Sequence, residues 1–380
     1  MTQKEIDTIK EVAKHFQFEG NLVHMEPWGN GHINDTYVLT FEIGKMGSIR
    51  VILQRINKSV FPNPEEVMEN IMNITNHLHK KILEKGGNPY RETLNIIPTI
   101  DGKPCYQESE NDFWRATMFI TDATCYDVAE STEDFYQSAV AFGKFQNMLA
   151  DFPAEELHET IKNFHNTKSR FMNFKKAVEE DIAGRAETVR DEIQFVLDHE
   201  KDACYFVDLI EKNEVPIRVT HNDTKLNNIM IDNKTHEGIC VIDLDTTMPG
   251  LAMYDFGDSI RFGASTGEED ERDLSKVSCS MELFEAYTKG FIEGCGGKLT
   301  DKEIELLPMG AKVITYECGM RFLTDYLQND VYFKTSRKEH NLDRARTQFK
   351  LVSDMEKKWN QMQAIVKKYN KPSKVPYHRS

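Results

Sequence analysis

The 380-residue chain has no C-x-x-C pair, no run of 18 apolar residues, no low-complexity segment and no basic excess. Each absence excludes something. Seven scattered cysteines (Cys105, Cys125, Cys204, Cys240, Cys279, Cys295, Cys318), odd in number, argue against a disulfide frame or a zinc site and for reduced thiols. Without a long apolar run nothing spans a bilayer, and "MTQKEIDTIKEVAKHF" has no apolar signal region, only Ile6, Ile9, Ala13 and Phe16 on one helical face. A formal net charge of −15 excludes wrapping of nucleic acid and makes an anionic lipid surface a poor partner. An anionic ligand would need its own Lys, Arg or metal against that background. The expectation is a cytoplasmic, monomeric globular protein.

With 39% apolar and 29% charged residues the chain can bury a substantial core, as two domains or as two lobes around a cleft. Residues 20–121 read as an antiparallel sheet with one inserted helix. "TYVLTFEI" and "SIRVILQRIN" flank a "GKMG" turn, and "TLNIIPTI", "DGKPCYQE" and "DFWRATMFI" look like further strands. The helix is 64–85, with Pro64 at its start, Gly86-Gly87 after its end, and Val67, Ile71, Ile74, Leu78 and Ile82 on one side. Beyond Thr121 helical patterns dominate, over 133–150, 155–178, 186–212, 275–294, 300–327 and 338–370. Thr300 and Glu303 make a capping-box signature. The expected domains are 1–121 and 122–380.

The short strand "IRVT" runs into "VTHNDTKLNNIM", which crowds a histidine, an aspartate, a lysine and three asparagines into one loop. A hairpin follows, "NIMIDNKTHEGICVIDLD", long enough to return its second strand beside its first. That predicts convergence of Asp223, Asn228 and Asp243. Phosphoryl transfer from a nucleotide requires metal ions held by hard oxygen ligands and a carboxylate that orients the acceptor hydroxyl. Asn228 and Asp243 supply metal oxygens, Asp223 accepts the hydroxyl proton, and Lys225 offsets charge on the transferring group. Asp245 is read as a second metal oxygen or a solvent-facing residue. A lone H-x-D is usually a turn, but H-x-D-x-K-x-x-N followed by I-D-x-D at hairpin distance approaches the kinase catalytic loop. "YDFGD" (254–258) is a decoy: it lies too far from Asp223 for the hairpin return, and Asp255 is read as a structural acid binding loop backbone or His221.

"THNDTKLNNIMID" and "VIDLDTTMPGL" resemble the aminoglycoside-phosphotransferase and choline-kinase group. The longer run "VIDLDTTMPGLAMYDFGDSIRFGAST", with "WGNGHINDTY" and "GMRFLTDYLQNDVYF", is similar to N-acetylhexosamine 1-kinases, and the likeness covers essentially the whole chain. The resemblance implies an α+β, two-lobed protein-kinase-like fold, with a small antiparallel N-lobe carrying one long helix and a larger, mainly helical C-lobe. It further implies an ATP- and Mg2+-dependent transfer to the anomeric hydroxyl of GlcNAc or GalNAc.

Matched position by position, the resemblance puts a phosphate-covering loop at "GNGHINDTY", where Gly29 and Gly31 let backbone approach phosphate, although G-x-G equally fits a hairpin turn. His32 and Asn34 reach sugar or phosphate, or bond locally. The strand "VILQRIN" lacks the expected phosphate-binding lysine. Arg55, paired with an acid such as Glu69, is favoured over Gln54, with surface snorkelling as the alternative. "TMFITD" would offer the backbone of Phe119 and Ile120 to a purine edge. Arg321 and Tyr332 match sugar-contacting positions, although Arg321 could instead pair with Asp325 four residues on; Phe262 would pack on the ring or acetamido methyl. The rivals are another small-molecule kinase of this fold (choline, homoserine, methylthioribose or aminoglycoside) and a non-catalytic nucleotide-binding protein.

Overall fold

The computed structural model describes residues 1–29, 33–129 and 131–370. The chain divides into two compact units. One comprises Met1–Thr124, Glu155–Lys162 and Met230–Met248; the other comprises Cys125–Ala154, Asn163–Ile229 and Pro249–Ser380.

The first unit opens on helix α1 (Gln3–Ala13), whose Thr2 side chain accepts from Glu5 N–H while the Glu5 carboxylate accepts from Thr2 N–H. Strands β1 (Asn21–Pro27), β2 (Asp35–Glu42) and β3 (Ser48–Ile56) follow, then helix α2 (Pro64–Glu84) and the single turn α3 (Pro89–Glu92). Strands β4 (Ile96–Ile97), β5 (Tyr106–Gln107), β6 (Phe113–Met118) and β7 (Ala123–Thr124) complete its N-terminal part. The main sheet runs β1-β2-β3-β6-β4, with β5 also on β6, and its pairings are antiparallel.

Alternation along these strands sorts the sheet into two faces. Leu39 and Phe41 of β2, Val51 and Leu53 of β3, and Trp114 and Ala116 of β6 form one core with Ile9, Val12 and Phe16 beside α1. Arg55 shares the parity of Leu53 and so belongs to the α1 face. Gln54, opposite Arg115 in register, belongs to the other.

Four more strands lie between residues 218 and 250: β8 (Arg218–Thr220), β9 (Ile229–Asp232), β10 (Gly238–Val241) and β11 (Met248–Gly250). β10, β9 and β7 form one sheet in that order, and β8 pairs with β11. The β9–β10 turn is closed by Asp232, whose Oδ1 accepts from the N–H groups of Lys234 (2.8 Å) and Thr235 (2.9 Å). These bonds, with Arg91 beside the carboxylate, hold its pKa down at about 2.

The second unit is built from α4 (Thr132–Met148), α5 (Thr167–Glu180), α6 (Arg190–Asp198), α7 (Glu200–Glu211), α8 (Ala252–Gly263), α9 (Met281–Cys295), α10 (Asp301–Glu305), α11 (Leu307–Leu327), α12 (His340–Lys357) and α13 (Trp359–Tyr369). The expected capping box of Thr300 and Glu303 opens α10. A core of Phe171, Phe174, Tyr316, Met320, Leu323, Phe349 and Val352 joins α5, α11 and α12. No helix among the described residues is long and apolar enough to cross a membrane.

Three expected helices are interrupted, at His199, Leu306 and Lys358. At Leu306 the reason is Pro308, which has no N–H to continue a helix and sits in the first turn of a new one. The helix expected over 155–178 begins only at Thr167. Residues 155–162 join the first unit instead, through a reciprocal pair: His158 N–H donates to Asn70 Oδ1 (2.8 Å) and Asn70 Nδ2 donates to His158 C=O (2.9 Å).

Helices α8 and α11 approach backbone to backbone. A Cβ on Gly257 would lie 2.4 Å from the Gly310 carbonyl oxygen. Helix propensity alone predicts that Gly257→Ala gains about 1 kcal/mol, whereas overpacking against rigid backbone predicts a loss of about 1–3 kcal/mol. We expect net destabilisation, read as a lower urea midpoint at unchanged slope.

Candidate active site

The loop from His221 to Asn228 carries most of the chemistry expected of the second unit. It leaves β8 and enters β9 through a 3-10 turn over Leu226–Asn228, with Asn222 at φ 66°. Asp255, in the first turn of α8, holds its shape: the two carboxylate oxygens accept separately from His221 N–H (3.0 Å) and Asn222 N–H (2.8 Å). Gln146 of α4 donates to both Asp255 Oδ2 (2.7 Å) and the Val219 carbonyl (3.1 Å). Asp258, one turn on, accepts from Thr224 N–H (3.0 Å) and is paired with the buried Arg261, which also reaches Glu269. Asp255 is therefore the structural acid that the sequence suggested.

Fixed in this way, the loop groups its reactive side chains. Lys225 Nζ lies 2.9 Å from Asp223 Oδ1. Asn228 Nδ2 donates to the Asp223 carbonyl (2.8 Å) and to Asp223 Oδ2 (3.1 Å). Burial pushes the Asp223 carboxyl up, but the Lys225 ammonium, nearby His221 and the Asn228 amide outweigh it, and the net displacement is below the usual carboxylate range. Burial likewise opposes the charge on Lys225, yet Asp223 and Asp258 hold its pKa above that of an ordinary lysine. An ionised carboxylate thus stands beside a permanent cation. Because its Nδ2 is spent on Asp223, Asn228 presents its Oδ1 as an acceptor, the hard oxygen that a divalent ion of the magnesium type takes.

The hairpin belongs to the first unit. Asp243 follows β10 in the left-handed region at φ 58°, and residues Leu244–Thr246 form a 3-10 turn. Asp245 in that turn is buried and is held by Arg115 of β6 through both oxygens, Nη2 lying 3.0 Å from Oδ2. Asn34 Nδ2 donates to the same Oδ2 at 2.6 Å, and Asn34 Oδ1 accepts from Asn57 N–H at 2.9 Å. Three donors therefore occupy most of the carboxylate's acceptor capacity. Burial corrects the reading of Asp245 as a solvent-facing residue: its first commitment is to the protein. The same contacts give Asn34 a local bonding role.

The expected pairing of Arg55 with Glu69 is not formed. On the α1 face it is partly exposed and bonded to Asp35 (Nε–Oδ2 2.9 Å) and Asp112 (3.1 Å), while Glu69 pairs with His158 at 2.9 Å. The buried cation on the opposite face is Arg115, whose Nε donates to Gln54 Oε1 at 3.0 Å. Sequence reasoning missed it; its one signal is a charge inside the apolar run "FWRATMF". Arg55→Gln is accordingly expected to leave the KM for ATP within about twofold, since an exposed pair contributes about 0–1 kcal/mol; steady-state titration of ATP checks this.

Gly29 has φ +76°, a conformation that suits glycine, with nothing among the described residues within 4 Å of an added Cβ. Gly31 and His32 lie outside the described residues. Phe119 is stacked by Arg50, 3.9 Å from the ring centroid, and its N–H donates to the Arg50 carbonyl. The Thr121 and Asp122 carbonyls accept from Arg91. Ile120 is buried, and its own peptide groups have no hydrogen bond among the described residues.

In the second unit Arg321 is not paired with Asp325. That carboxylate instead accepts from the N–H groups of Val331, Tyr332 and Phe333 (2.8–2.9 Å) and from Asn341. The Arg321 guanidinium lies 5.9, 5.8 and 5.4 Å from the ring centroids of Phe164, Tyr332 and Phe333 and makes no ion pair among the described residues. Tyr332 is 63% exposed, and Phe262, at 37%, is not a core residue.

A small antiparallel sheet unit, a mainly helical unit and a backbone-clamped Asp–Lys–Asn loop define a kinase-like phosphotransferase. Residues 24–279, a span containing that loop, the hairpin and Asp255, match the phosphotransferase enzyme family, and the chain belongs to it. Solved structures with the same fold include a choline kinase from Cryptosporidium parvum (15% identity, TM-score 0.58, covering 97% of this chain and 99% of that one). An aminoglycoside phosphotransferase from Alicyclobacillus acidocaldarius has 13% identity and TM-score 0.58, covering 94% and 95%. An amicoumacin kinase, solved with AMP-PNP and Ca2+, has 13% identity and TM-score 0.56, covering 94% and 96%.

Proposed function

We propose that this phosphotransferase is an N-acetylhexosamine 1-kinase, moving the γ-phosphoryl group of ATP to the anomeric hydroxyl of GlcNAc or GalNAc. The observation that carries the kinase reading is the loop itself: an ionised Asp223 with Lys225 on one oxygen and Asn228 on the other. Asp223 orients the acceptor hydroxyl and takes its proton, and the relative acidity of an anomeric hydroxyl makes a carboxylate of low basicity sufficient. Lys225 offsets charge on the transferring group. We assign Asn228 and Asp243 as the oxygen ligands of Mg2+, which when bound would neutralise phosphate charge; their hard donors fit that ion. Most of the acceleration comes from positioning and electrostatics.

We assign residues 1–121 to nucleotide binding, with Gly29, Gly31 and the peptide groups of Ile120 at phosphate and purine, and residues 122–380 to catalysis and the acceptor. Arg321, free of Asp325 and ringed by aromatic side chains, supports a sugar acceptor, because a fork of N–H donors suits hydroxyls and an aromatic face suits the apolar side of a pyranose. Tyr332, Phe262 and His32 complete the proposed acceptor contacts. The seven cysteines are all free thiols, which supports a cytoplasmic setting, and we place the enzyme there as a monomer.

The test is an acceptor panel with labelled ATP and Mg2+: GlcNAc, GalNAc, choline, homoserine, methylthioribose and an aminoglycoside. Transfer to the two N-acetylhexosamines in preference to the rest is expected. Preferential transfer to another acceptor would move the chain to a different branch of the family, and no transfer at all would leave the non-catalytic reading.

A further inference from the structure

The buried guanidinium of Arg115 has no role in the reaction as described so far. It lies in the middle of β6, 4% exposed, in a strand otherwise built of apolar and small residues. A buried charge of this kind persists only when it is paired and bonded, and Arg115 commits its fork to Asp245 and its Nε to Gln54. Gln54 in turn donates to Thr36 Oγ1 at 3.0 Å, so a polar row crosses β2, β3 and β6 on the face opposite α1.

The row ends on the turn that follows Asp243. Four separate segments of the first unit hold that turn. Arg115 comes from β6, and Asn34 from the end of the glycine-containing loop. Thr160 Oγ1 donates to the Asp245 carbonyl at 3.3 Å, and Asn70 Nδ2 of α2 donates to the Thr247 carbonyl at 3.2 Å. Asp243, two residues before Asp245, keeps a left-handed backbone that only a few side chains adopt readily. Such a conformation persists where its surroundings over-determine it. In protein kinases a strand lysine and a helix glutamate form the ion pair that must be in place for catalysis. Here β3 has no lysine: Gln54 lies on the face of Arg115, the exposed Arg55 lies on the other, and the helix acid Glu69 is bonded to His158.

We propose that Arg115 is a positioning residue for phosphoryl transfer: through Asp245 it fixes the turn that presents Asp243 to the nucleotide-bound metal, and through Asp245 and Asn34 it ties that turn to the start of β2. The inference rests on the proposed role of Asp243 as a metal ligand. Its consequence is a dependence of metal–nucleotide affinity on a residue that touches neither metal nor nucleotide. Removing partners that orient metal ligands typically weakens metal affinity by about 10–100-fold.

The test is calorimetric titration of Mn2+–AMP-PNP into the full chain, for wild type, D243N, R115Q, R115K and N34A, with the folded fraction of each taken from circular dichroism. Expected are a loss of metal-dependent binding in D243N and a Kd about tenfold or more higher for R115Q per folded molecule. R115K, which keeps the charge but loses the fork, should fall between R115Q and wild type. N34A, at a half-buried residue, removes the bonds to Asp245 and to Asn57 N–H but leaves the ion pair, and keeps the test open should R115Q not fold. It should raise the Kd several-fold. A purely structural Arg115 would lower the melting temperature of R115Q while the Kd per folded molecule stayed at the wild-type value, and N34A would bind like wild type; either result with D243N impaired overturns the inference and leaves the kinase reading standing. D243N binding metal–nucleotide like wild type would instead remove the assignment of Asp243, and this inference with it.

Discussion

Replacing Asp223 with alanine is expected to reduce turnover by roughly 10³-fold, within the range that a positioned acid–base group contributes, while nucleotide binding stays near the wild-type level. The expectation follows from where the carboxylate's interactions go. Lys225 and Asn228 take one oxygen each, and the adjacent ammonium keeps the group ionised in the neutral range, able to accept a proton and unable to donate one. The Asn228 bond to the Asp223 backbone carbonyl survives the substitution, so the proposed metal oxygen keeps its orientation toward the nucleotide. Single-turnover transfer measured beside nucleotide titration separates the two quantities. Turnover near normal in Asp223→Ala would remove the residue from the chemistry.

Asp255→Ala is expected to produce the largest loss of stability in the second unit. The carboxylate is fully buried and accepts from two consecutive backbone N–H groups and from Gln146. Burial raises its pKa, against the pull of those donors. Alanine would leave three buried donors unpaired, at about 1–3 kcal/mol each before any relaxation or water entry, so a net loss of about 3–5 kcal/mol is reasonable for a broken buried network. Turnover should fall with it, because the peptides it clamps lead directly into Asp223. Asp255→Asn offers one acceptor and turns a donor toward the other N–H, and should lie between the two. Melting temperature and kcat measured on the same three proteins check this; an Asp255→Ala variant with wild-type stability and rate would show that the loop holds its own shape.

The difference between what was legible in the sequence and what was not has a physical basis. Helix 64–84 could be read because Pro64, the apolar period and Gly86 all agree, and the loop and hairpin could be read because polar residues in tight spacing bounded by β-branched runs leave few folds open. Asp255 was legible as a structural acid because its distance from Asp223 was wrong for a metal role. The choice between Gln54 and Arg55 was not legible. Strand alternation assigns them to opposite faces, but both faces of β3 carry apolar residues, Val51 and Leu53 on one and Ile52 and Ile56 on the other, so no apolar pattern says which face is which until α1 is placed. Arg115 was hidden for a related reason: its partner is 130 residues away, and nothing local to β6 announces it. The segment 155–166 has helical composition, but both peptide groups of His158 are taken by Asn70, a tertiary override that propensity cannot foresee.

Phosphorus NMR of the product formed from GlcNAc, ATP and Mg2+ tests the central claim most directly. The proposed function predicts a single new phosphomonoester resonance coupled to the anomeric proton, appearing with stoichiometric ADP and absent with Asp223→Ala. A phosphate coupled to the C6 methylene protons, or ADP release with only inorganic phosphate, would contradict it.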